Sequence, residues 1–229
     1  MFENEDPAKR AAGFAAVDRY VVDGTCVGLG TGTTAYWAIV RVGQRIAGGE
    51  RIIAIATSSE TEQLCRQLEI PLVDLLAERM PVAIDGADEI APDRSLIKGG
   101  GGALFREKAV ALACERYVVV ATLNKLVPQL GKFPLPVEIV PFAAPYVRRE
   151  IERRFPDLHV SRRARGAQPF VTDNGNWIFD CAFGSIAEPS AVDTTLRGIH
   201  GVVSTGLFFN LVDDVIVGRD DGSLDAPRY

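Results

Sequence analysis

Histidine and cysteine are scarce in this sequence, and their placement argues against a zinc site. The 229 residues include two histidines and four cysteines, and no two cysteines form a C-x-x-C pair. Structural zinc sites need closely spaced cysteine and histidine ligands. The pattern therefore predicts buried thiols and no zinc, although carboxylates could still hold a weakly bound divalent ion. The cysteines are Cys26, Cys65, Cys114 and Cys181.

Long apolar runs and an excess of positive charge are also missing. No apolar stretch approaches the roughly 20 residues that cross a bilayer, and the opening MFENEDPAKR is charged, unlike a signal peptide. The formal net charge of -5 argues against a nucleic-acid surface, because binding to a phosphate backbone needs a basic face. These features predict a cytoplasmic globular protein with no membrane or nucleic-acid partner.

The first half of the chain repeats a strand, loop and helix pattern. Alternation of this kind is typical of an α/β protein with a doubly wound parallel sheet. A first helix begins at Asp6-Pro7, an N-cap followed by a first-turn proline. The predicted strands cover Cys26 to Leu29, Arg51 to Ala56, Pro81 to Ile84 and Tyr117 to Ala121, and the helices that separate them cover Ala35 to Ile46, Ser59 to Leu68 and Ala103 to Cys114.

The pattern changes near Gly131, where GKFPLPVEIVP places three prolines among β-branched residues. From there to Ser204 the sequence indicates short strands, a turn at DNGN and two helices, which favours a small α+β subdomain. The closing segments GLFFN and DDVIVG are interpreted as a return to the first sheet. We therefore predict a catalytic domain at 1–131 plus 205–229 and an inserted subdomain at 132–204.

A glycine- and threonine-rich loop follows the first strand. Its backbone N–H groups and the helix after it can hold a phosphate group, although a tight turn without a ligand is the alternative. A dinucleotide site fits poorly, because G-x-G-x-x-G needs glycine where Thr33 stands. A nucleotide P-loop also fails, because no Lys-Ser or Lys-Thr follows. The candidate phosphate-binding residues are Thr31, Gly32, Thr33 and Thr34.

An acidic turn, DGADE, follows a later apolar strand. Open α/β sheets bind ligands at the carboxyl ends of their strands, so carboxylates there could recognise hydroxyl groups and move protons. Capping of a turn is the alternative, and a metal site is a third. The candidate residues are Asp85, Gly86, Ala87 and Asp88.

Four consecutive glycines follow Lys98 and precede a helix that carries Glu107. Such a run costs conformational entropy when it is ordered, and close approach of backbone N–H groups to a ligand explains it. Lys98 could stabilise negative charge on oxygen, and Glu107 could transfer a proton; a helix-capping carboxylate is the alternative for Glu107. The candidate loop residues beside Lys98 are Gly99, Gly100 and Gly101.

Other charged residues give weaker signals. Lys9 and Lys125 are possible phosphate partners, although a single lysine is usually a solvated surface group. The arginines between 148 and 165 could form an interface or an anion patch, but a solvated face is the expected interpretation.

Taken together, these motifs resemble type A ribose-5-phosphate isomerase over nearly the whole chain. The segments that carry the resemblance, in order, are GLGTGTT, TSSET, DGADE, KGGGGALFREK, GKFPLPVEI and VTDNGN. The resemblance implies a Rossmann-like three-layer α/β/α domain with a ferredoxin-like insertion. It also implies interconversion of ribose 5-phosphate and ribulose 5-phosphate without metal or organic cofactor, by a homodimer or homotetramer.

The resemblance assigns roles residue by residue. Glu107 matches the proton-transferring glutamate of the family, Lys125 and Lys9 match binding lysines, and the three loops match its substrate-binding segments. Asp85 would assist opening of the furanose ring, and Lys98 would stabilise the enediolate. KGGGG carries a glycine where the family commonly has alanine, and the arginine-rich segment leaves the edge of the insertion uncertain.

Two other functions stay open at this point. A sugar-phosphate sensor could use the same loops without catalysis, although no helix-turn-helix accompanies them. A coenzyme A transferase of related architecture would also use a glutamate near glycines, and it would form an acyl-enzyme.

Overall fold

The computed structural model describes residues 6–75 and 78–225. Two short 3-10 helices lie at Leu123–Lys125 and Pro141–Ala143. The α-helices are α1 (Pro7–Tyr20), α2 (Ala35–Ala47), α3 (Ser59–Gln67), α4 (Leu104–Leu112), α5 (Ala144–Arg154) and α6 (Pro189–Arg197). The strands are β1 (Cys26–Leu29), β2 (Ile53–Ala56), β3 (Met80–Asp85), β4 (Glu89–Ile90), β5 (Leu96–Ile97), β6 (Cys114–Thr122), β7 (Leu135–Ile139), β8 (His159–Arg162), β9 (Ala164–Arg165), β10 (Gln168–Pro169), β11 (Trp177–Ala182), β12 (Val202–Thr205), β13 (Leu207–Phe208) and β14 (Asp214–Gly218).

The described chain forms two compact units. The first contains the described residues up to Ala87, then Arg106–Leu126, then those from Leu211 on. The second contains Asp88–Phe105 and Val127–Asn210. Compactness is a different property from independent folding, so the inserted domain at 132–204 stays a prediction. The outer limits of the predicted catalytic domain, 1 and 229, lie outside the described residues.

A five-stranded parallel sheet forms the centre of the first unit, in the order β14-β6-β3-β1-β2. Counted within this sheet, the strand order is 2-1-3-4-5, which is one of the two common orders of doubly wound α/β sheets. The order in which strands are added to the sheet reverses between β1 and β3. The carboxyl ends of these two strands lie side by side, since Leu29 is paired with Ile84.

Helices cover both faces of this sheet, which gives the predicted three layers. Val27 and Leu29 of β1 point into an apolar cluster that also contains residues of α1, α2 and α3. Gly28, between them, lies on the opposite face against Val110 of α4. The alternation follows from the twofold side-chain repeat of a strand, and it explains why β1 is apolar throughout.

The ends of the predicted elements agree with the structure except at a few places. Asp6 caps α1 as expected, since its carboxylate accepts a hydrogen bond from the Lys9 backbone N–H at 3.0 Å. The helix predicted to end at Cys114 ends at Leu112, and Cys114 begins β6 opposite Met80. The sheet takes this residue because pairing with β3 satisfies its backbone polar groups.

The second unit contains an antiparallel sheet of four strands, in the order β12-β7-β11-β8. The elements run β7, α5, β8, β11, α6 and β12 along the chain, so the arrangement is the ferredoxin-like one that the resemblance implied. Alternate residues of β7, Leu135, Val137 and Ile139, lie in its apolar core. A short hairpin of β9 and β10, which the sequence did not reveal, precedes the DNGN turn.

The closing segments of the chain separate, which corrects one prediction. DDVIVG does return to the parallel sheet, as β14 beside β6. GLFFN does not: Leu207 and Phe208 form β13, which pairs antiparallel with β5 in a three-stranded sheet of the second unit. Both segments are rich in apolar residues that favour strands. Which sheet each one joins depends on the strand edge that is available to it.

None of the helices in the described residues is long and apolar enough to span a membrane. All four cysteines are free and buried, as predicted.

Candidate active site

The loop after β1 and the loop after β3 lie where the winding of the parallel sheet reverses. Parallel strands ending side by side bring their following loops together, and this is the place where open α/β sheets bind ligands. The Gly-Thr loop and the DGADE turn occupy these two positions. The sequence identified both loops, and the strand order explains why they meet.

Asp85 is a buried carboxylate of the first unit, held by backbone N–H groups. It is 2% exposed, and its Oδ1 accepts hydrogen bonds from the backbone N–H groups of Gly86 at 2.7 Å and Thr31 at 3.1 Å. A Cβ atom at Gly30 would lie 1.9 Å from Oδ1, so only glycine allows the carboxylate to approach β1 this closely. Asp85 therefore presents a fixed carboxylate to the loop region.

Thr31 uses its hydroxyl group within the protein. Its Oγ1 lies 2.8 Å from the hydroxyl oxygens of Thr57 and Ser58, and 3.3 Å from that of Thr61. Thr61 in turn donates to the carbonyl of Gly30 at 2.8 Å. This buried network ties the Gly-Thr loop to the start of α3, and it gives the TSSET segment a structural role that sequence reasoning had missed.

The exposed part of the same loop is Gly32 and Thr33, while Thr34 is buried at the start of α2. Gly32 has a φ of +105°, and its carbonyl accepts from the N–H of Tyr36 at 2.9 Å. The unpaired N–H groups of a first helical turn carry partial positive charge. This geometry suits an anionic group, such as a phosphate, better than a neutral one.

Glu107 lies on α4, and its side chain belongs to the buried part of the first unit at 4% exposure. Tyr117 of β6 is buried in the same unit. Burial, then the charges of Asp85 and Glu107, raise the pKa of Tyr117 well above its ordinary value. The Tyr117 hydroxyl donates to Asp85 Oδ2 at 3.5 Å. Sequence reasoning missed Tyr117, whose only signal is a polar atom within the apolar run YVVV.

Lys9 and Lys125, the two candidate lysines of the first unit, are placed differently from each other. Lys9 lies on α1, and its ammonium pairs with the Asp6 carboxylate at 2.9 Å. Within the described residues, the Asp6 carboxylate is thus the ion-pair partner of the Lys9 ammonium. Lys125 is half-buried in the 3-10 helix that follows β6.

Asp88 and the glycine loop meet within the second unit. The Gly100 N–H donates to Asp88 Oδ2 at 2.7 Å. A Cβ atom at Gly100 would lie 2.6 Å from Oδ1, so a larger residue there would displace the carboxylate. Gly99 has a φ of +99°, which favours glycine. A hydrogen bond thus joins the DGADE turn to the glycine loop.

Lys98 has its long side chain inside the protein, with 2% exposure. Its backbone N–H donates to the Gly206 carbonyl at 2.8 Å, and its ammonium lies 5.7 Å from the centre of the Phe208 ring. A cation over an aromatic face is stabilised electrostatically. The β13 segment therefore supports both the backbone and the charge of Lys98.

Arg163 holds the glycine loop, and the expectation of a solvated arginine face is wrong for this residue. Its guanidinium donates to the carbonyls of Gly99 at 2.7 Å and Gly100 at 3.0 Å. It also forms a two-point ion pair with Asp180, at 2.5 and 3.0 Å. The neighbouring Arg162 is exposed and lies over Trp177 instead.

The candidate residues are divided between the two units. The first unit contains Lys9, Thr31, Gly32, Thr33, Thr34, Asp85, Gly86, Ala87, Glu107 and Lys125, and the second contains Asp88, Lys98, Gly99, Gly100 and Gly101. The chain crosses from the first unit to the second after Ala87 and returns before Arg106. A search of the described residues finds no group of three or more His, Cys, Asp or Glu side chains that could hold a metal ion.

Comparisons with known proteins point to one family. A family profile described as ribose 5-phosphate isomerase A (phosphoriboisomerase A) matches residues 53–222. A relative of that name from Natronomonas pharaonis is 49% identical over 216 residues, which cover 93% of this chain and 94% of the relative. Another from Bacillus mycoides is 46% identical over 205 residues, which cover 89% and 92%.

Solved structures give the same result. Ribose 5-phosphate isomerase from Plasmodium falciparum superposes with a TM-score of 0.93 at 31% identity, covering 98% of this chain and all of that one (100%). A D-ribose-5-phosphate isomerase in complex with phospho-erythronic acid superposes with a TM-score of 0.88 at 33% identity, covering 94% and 95%.

Proposed function

The chain belongs to the ribose 5-phosphate isomerase A family, and from its residues we propose how it carries out the family's reaction. It is an aldose-ketose isomerase that interconverts D-ribose 5-phosphate and D-ribulose 5-phosphate in the non-oxidative pentose phosphate pathway. The observation that carries the proposed residue roles is the buried carboxylate of Asp85, held by two backbone N–H groups at the carboxyl end of β3, together with the buried Glu107 of α4. Carboxylates held in this way are suited to proton transfer.

The isomerisation needs a base that moves one proton between neighbouring carbons. We assign this role to Glu107: it removes the proton from C2 of the open-chain aldose, the C–H electron pair becomes the C1–C2 double bond, and negative charge develops on O1. Return of the proton to C1, with the O2 proton moved to O1, gives the ketose. No electron leaves the substrate, so the balance of the reaction requires no redox partner.

Ribose 5-phosphate is mainly a closed furanose, which must open before C2 becomes acidic. Asp85 is the residue proposed to assist this step: it takes the proton of the hemiacetal hydroxyl at C1 and returns it to the ring oxygen O4 as the C1–O4 bond breaks. Its Oδ1 is fixed by two backbone N–H groups, and Oδ2 is the oxygen assigned to that exchange. Preorganised groups of this kind cost no reorganisation at the moment of reaction.

Binding and charge stabilisation complete the proposed site. The loop of Thr31, Gly32, Thr33 and Thr34 would hold the phosphate, through the backbone N–H groups of its last three residues and the exposed hydroxyl of Thr33, while the Thr31 N–H stays on Asp85. Gly86, Ala87 and Asp88 would recognise sugar hydroxyls. Lys98, with the loop of Gly99, Gly100 and Gly101, would stabilise the enediolate. Lys9 and Lys125 would bind the substrate as in the family resemblance. A relative binds phospho-erythronic acid, whose carboxylate imitates the planar, anionic enediolate.

Replacement of Glu107 by glutamine tests the reaction directly. Glutamine keeps the size of the side chain and removes the base, so kcat should fall about 10²- to 10⁴-fold while the fold survives. The assay follows ketose formation and carbon-bound deuterium from ribose 5-phosphate in D₂O, with EDTA present to test the proposed independence of metal. The matched control is Glu115→Gln, at an exposed position of β6, which should keep wild-type turnover.

The same assay separates the alternatives. Near-normal turnover in Glu107→Gln would overturn the assignment of the base. A sensor would give neither ketose nor deuterium incorporation in the unmodified protein. A coenzyme A transferase would give an acyl-enzyme with acyl-coenzyme A and slow turnover of pentose phosphates.

We also propose that the protein is a homodimer or homotetramer in the cytoplasm. An apolar patch on the second unit supports self-association: Phe142 is 97% exposed, with Val140 and Tyr146 beside it. Large exposed apolar patches commonly mark interfaces. Four free thiols are consistent with a reducing compartment. Light scattering coupled to gel filtration gives the assembled mass, and a monomer at micromolar concentration would contradict the proposal.

A further inference from the structure

Tyr117 has a polar atom at the centre of the first unit that the proposed reaction does not use. The residue is 1% exposed and lies on β6, the strand next to the one that ends at Asp85. Its hydroxyl is directed at Asp85 Oδ2, at 3.5 Å. A buried hydroxyl without a role in packing costs free energy, so phenylalanine would be the simpler residue at this position.

The geometry leaves a specific task for this hydroxyl. Asp85 Oδ1 is bound by the N–H groups of Thr31 and Gly86, and these two bonds fix one oxygen of the carboxylate. Because a carboxylate is planar, these two bonds also set the direction of Oδ2, and the groups that contact Oδ2 determine how well its negative charge is stabilised. Tyr117 contacts it from the adjacent strand.

Toward Asp85 the hydroxyl is the donor, because an ionised carboxylate only accepts. The ionisable groups that act on it include Asp85 of β3, Glu107 of α4 and Cys114 of β6. Burial and the two carboxylates raise the pKa of Tyr117 well above its ordinary value, which favours the protonated phenol. A protonated donor stabilises the ionised form of the acid it faces.

We propose that Tyr117 is a positioning residue for ring opening: its hydroxyl donates to Oδ2 of Asp85 and so keeps that carboxylate ionised for the exchange with the ring hydroxyl of the substrate. The inference rests on the proposed role of Asp85 in this isomerase. It predicts a defect in ring opening and closure, and no defect in the proton transfer by Glu107.

The chemistry of the two substrates allows these steps to be measured separately. Ribulose 5-phosphate cannot form a furanose ring, because its C5 oxygen carries the phosphate, so it reaches the enzyme as the open chain. Exchange of its C1 proton with D₂O needs the enediolate and Glu107 but no ring step. Net conversion to ribose 5-phosphate also includes ring closure. When the ring closes on the enzyme, this step depends on Asp85.

The central experiment is Tyr117→Phe. We expect kcat for ribose 5-phosphate to fall about 5- to 30-fold with little change in KM, while C1 exchange into ribulose 5-phosphate stays within twofold of wild type. The acid limb of the kcat/KM profile should move to higher pH by about half a unit to one unit, the shift that loss of one hydrogen bond to a carboxylate gives. Glu107→Gln, by contrast, should lower both exchange and conversion about 10²- to 10⁴-fold under the proposed function.

A matched control and a double mutant exclude a purely structural effect. Tyr20→Phe removes another hydroxyl that donates to a carboxylate, that of Asp214 in β14, and should leave turnover and its pH profile unchanged. In an Asp85→Asn background, Tyr117→Phe should cause no further loss, because its effect passes through Asp85. Additive losses, or an equal loss of C1 exchange in Tyr117→Phe, would overturn the proposal.

A second variant covers the case in which phenylalanine disturbs folding, which circular dichroism detects. 3-Fluorotyrosine at position 117 is a stronger donor of almost the same shape, so the acid limb should move to lower pH, opposite to the change with phenylalanine. An unchanged acid limb with this residue would also overturn the proposal.

Discussion

A single glycine allows the Asp85 carboxylate to lie against the end of β1. Gly30 follows β1, and the Asp85 carboxylate fills the space that a side chain at Gly30 would need. Gly86, which follows β3, is different, since the nearest atoms to a Cβ there are 3.9 Å away. The sequence contains 22 glycines, so glycine content alone does not distinguish these two cases.

Alanine substitutions at these positions should therefore differ in stability. Gly30→Ala forces either β1 or Asp85 to move, and we expect a loss of about 1–3 kcal/mol in the free energy of unfolding, typical of overpacking, together with reduced kcat. Gly86→Ala should change stability by less than about 1 kcal/mol, since the added methyl has room. Urea titration of both variants checks this, and equal stability of the two would show that the close approach at Gly30 is unimportant.

At the scale of an element, the glycine loop after Lys98 depends on distant parts of the second unit. Arg163 follows β8, Asp180 lies on β11, and together they hold two carbonyl groups of the loop. Four glycines have little preference for one conformation, so the loop takes its shape from these bonds and from β13. The loop is thus ordered by residues more than 60 positions away in sequence.

Loss of the Arg163 side chain should release this loop. We expect Arg163→Ala to lower kcat/KM about 10- to 100-fold, since hydrogen bonds to a charged group contribute roughly 1.5–3 kcal/mol. The adjacent Arg162→Ala is the matched control, because its exposed side chain lies over Trp177 and contacts no loop carbonyl that the structure describes. Steady-state kinetics at constant ionic strength measure both. Equal effects of the two substitutions would show that the loop is ordered by other means.

At the scale of the whole molecule, each unit buries its own apolar cluster, and free thiols lie in both. Burial raises the pKa of Cys65 and Cys181 to about 12 and that of Cys114 to about 11, from an ordinary value of 9.0. The folded chain therefore keeps thiol protons that the unfolded chain releases near pH 9. Stability that these groups contribute is complete below that pH and is lost as the pH rises toward 11 and 12.

Alkaline conditions should thus destabilise the protein in a thiol-dependent way. Between pH 8 and pH 10 each buried thiol should remove about 1 kcal/mol from the free energy of unfolding. Urea titrations at these two pH values, with a reducing agent present, measure the change. The free energy of unfolding of Cys65→Ala should fall over the same pH interval by about 1 kcal/mol less than that of the wild type, because one buried thiol is missing. The same slope in wild type and variant would contradict this account.

Much of the fold follows from local pattern. The apolar strands of the parallel sheet, the Asp6-Pro7 helix start and the α+β pattern after Gly131 were recognisable, because burial of both faces and helix capping leave direct traces in residue type; the ferredoxin-like arrangement came only from the family resemblance. The three loops were also recognisable. Glycine runs and acidic turns directly after apolar strands have few purely structural explanations.

The sequence pattern did not show which strand or side chain each segment contacts. GLFFN and DDVIVG look alike as apolar strands, yet they join different sheets. Thr31 and Thr33 look alike as loop hydroxyls, yet only Thr31 joins the buried network with Thr57 and Ser58. Arg162 and Arg163 are neighbours in one arginine-rich stretch with unrelated contacts.

The sequence by itself determined the family, the reaction and the candidate residues, because these depend on the order and spacing of motifs along one chain. The tertiary structure alone decided that β1 and β3 end side by side, that Tyr117 faces Asp85 and that Arg163 holds the glycine loop. The physical reason is that strand pairing and side-chain contacts join residues far apart in sequence. Such contacts are selected by the free energy of the whole packed unit, and residue type records them only indirectly.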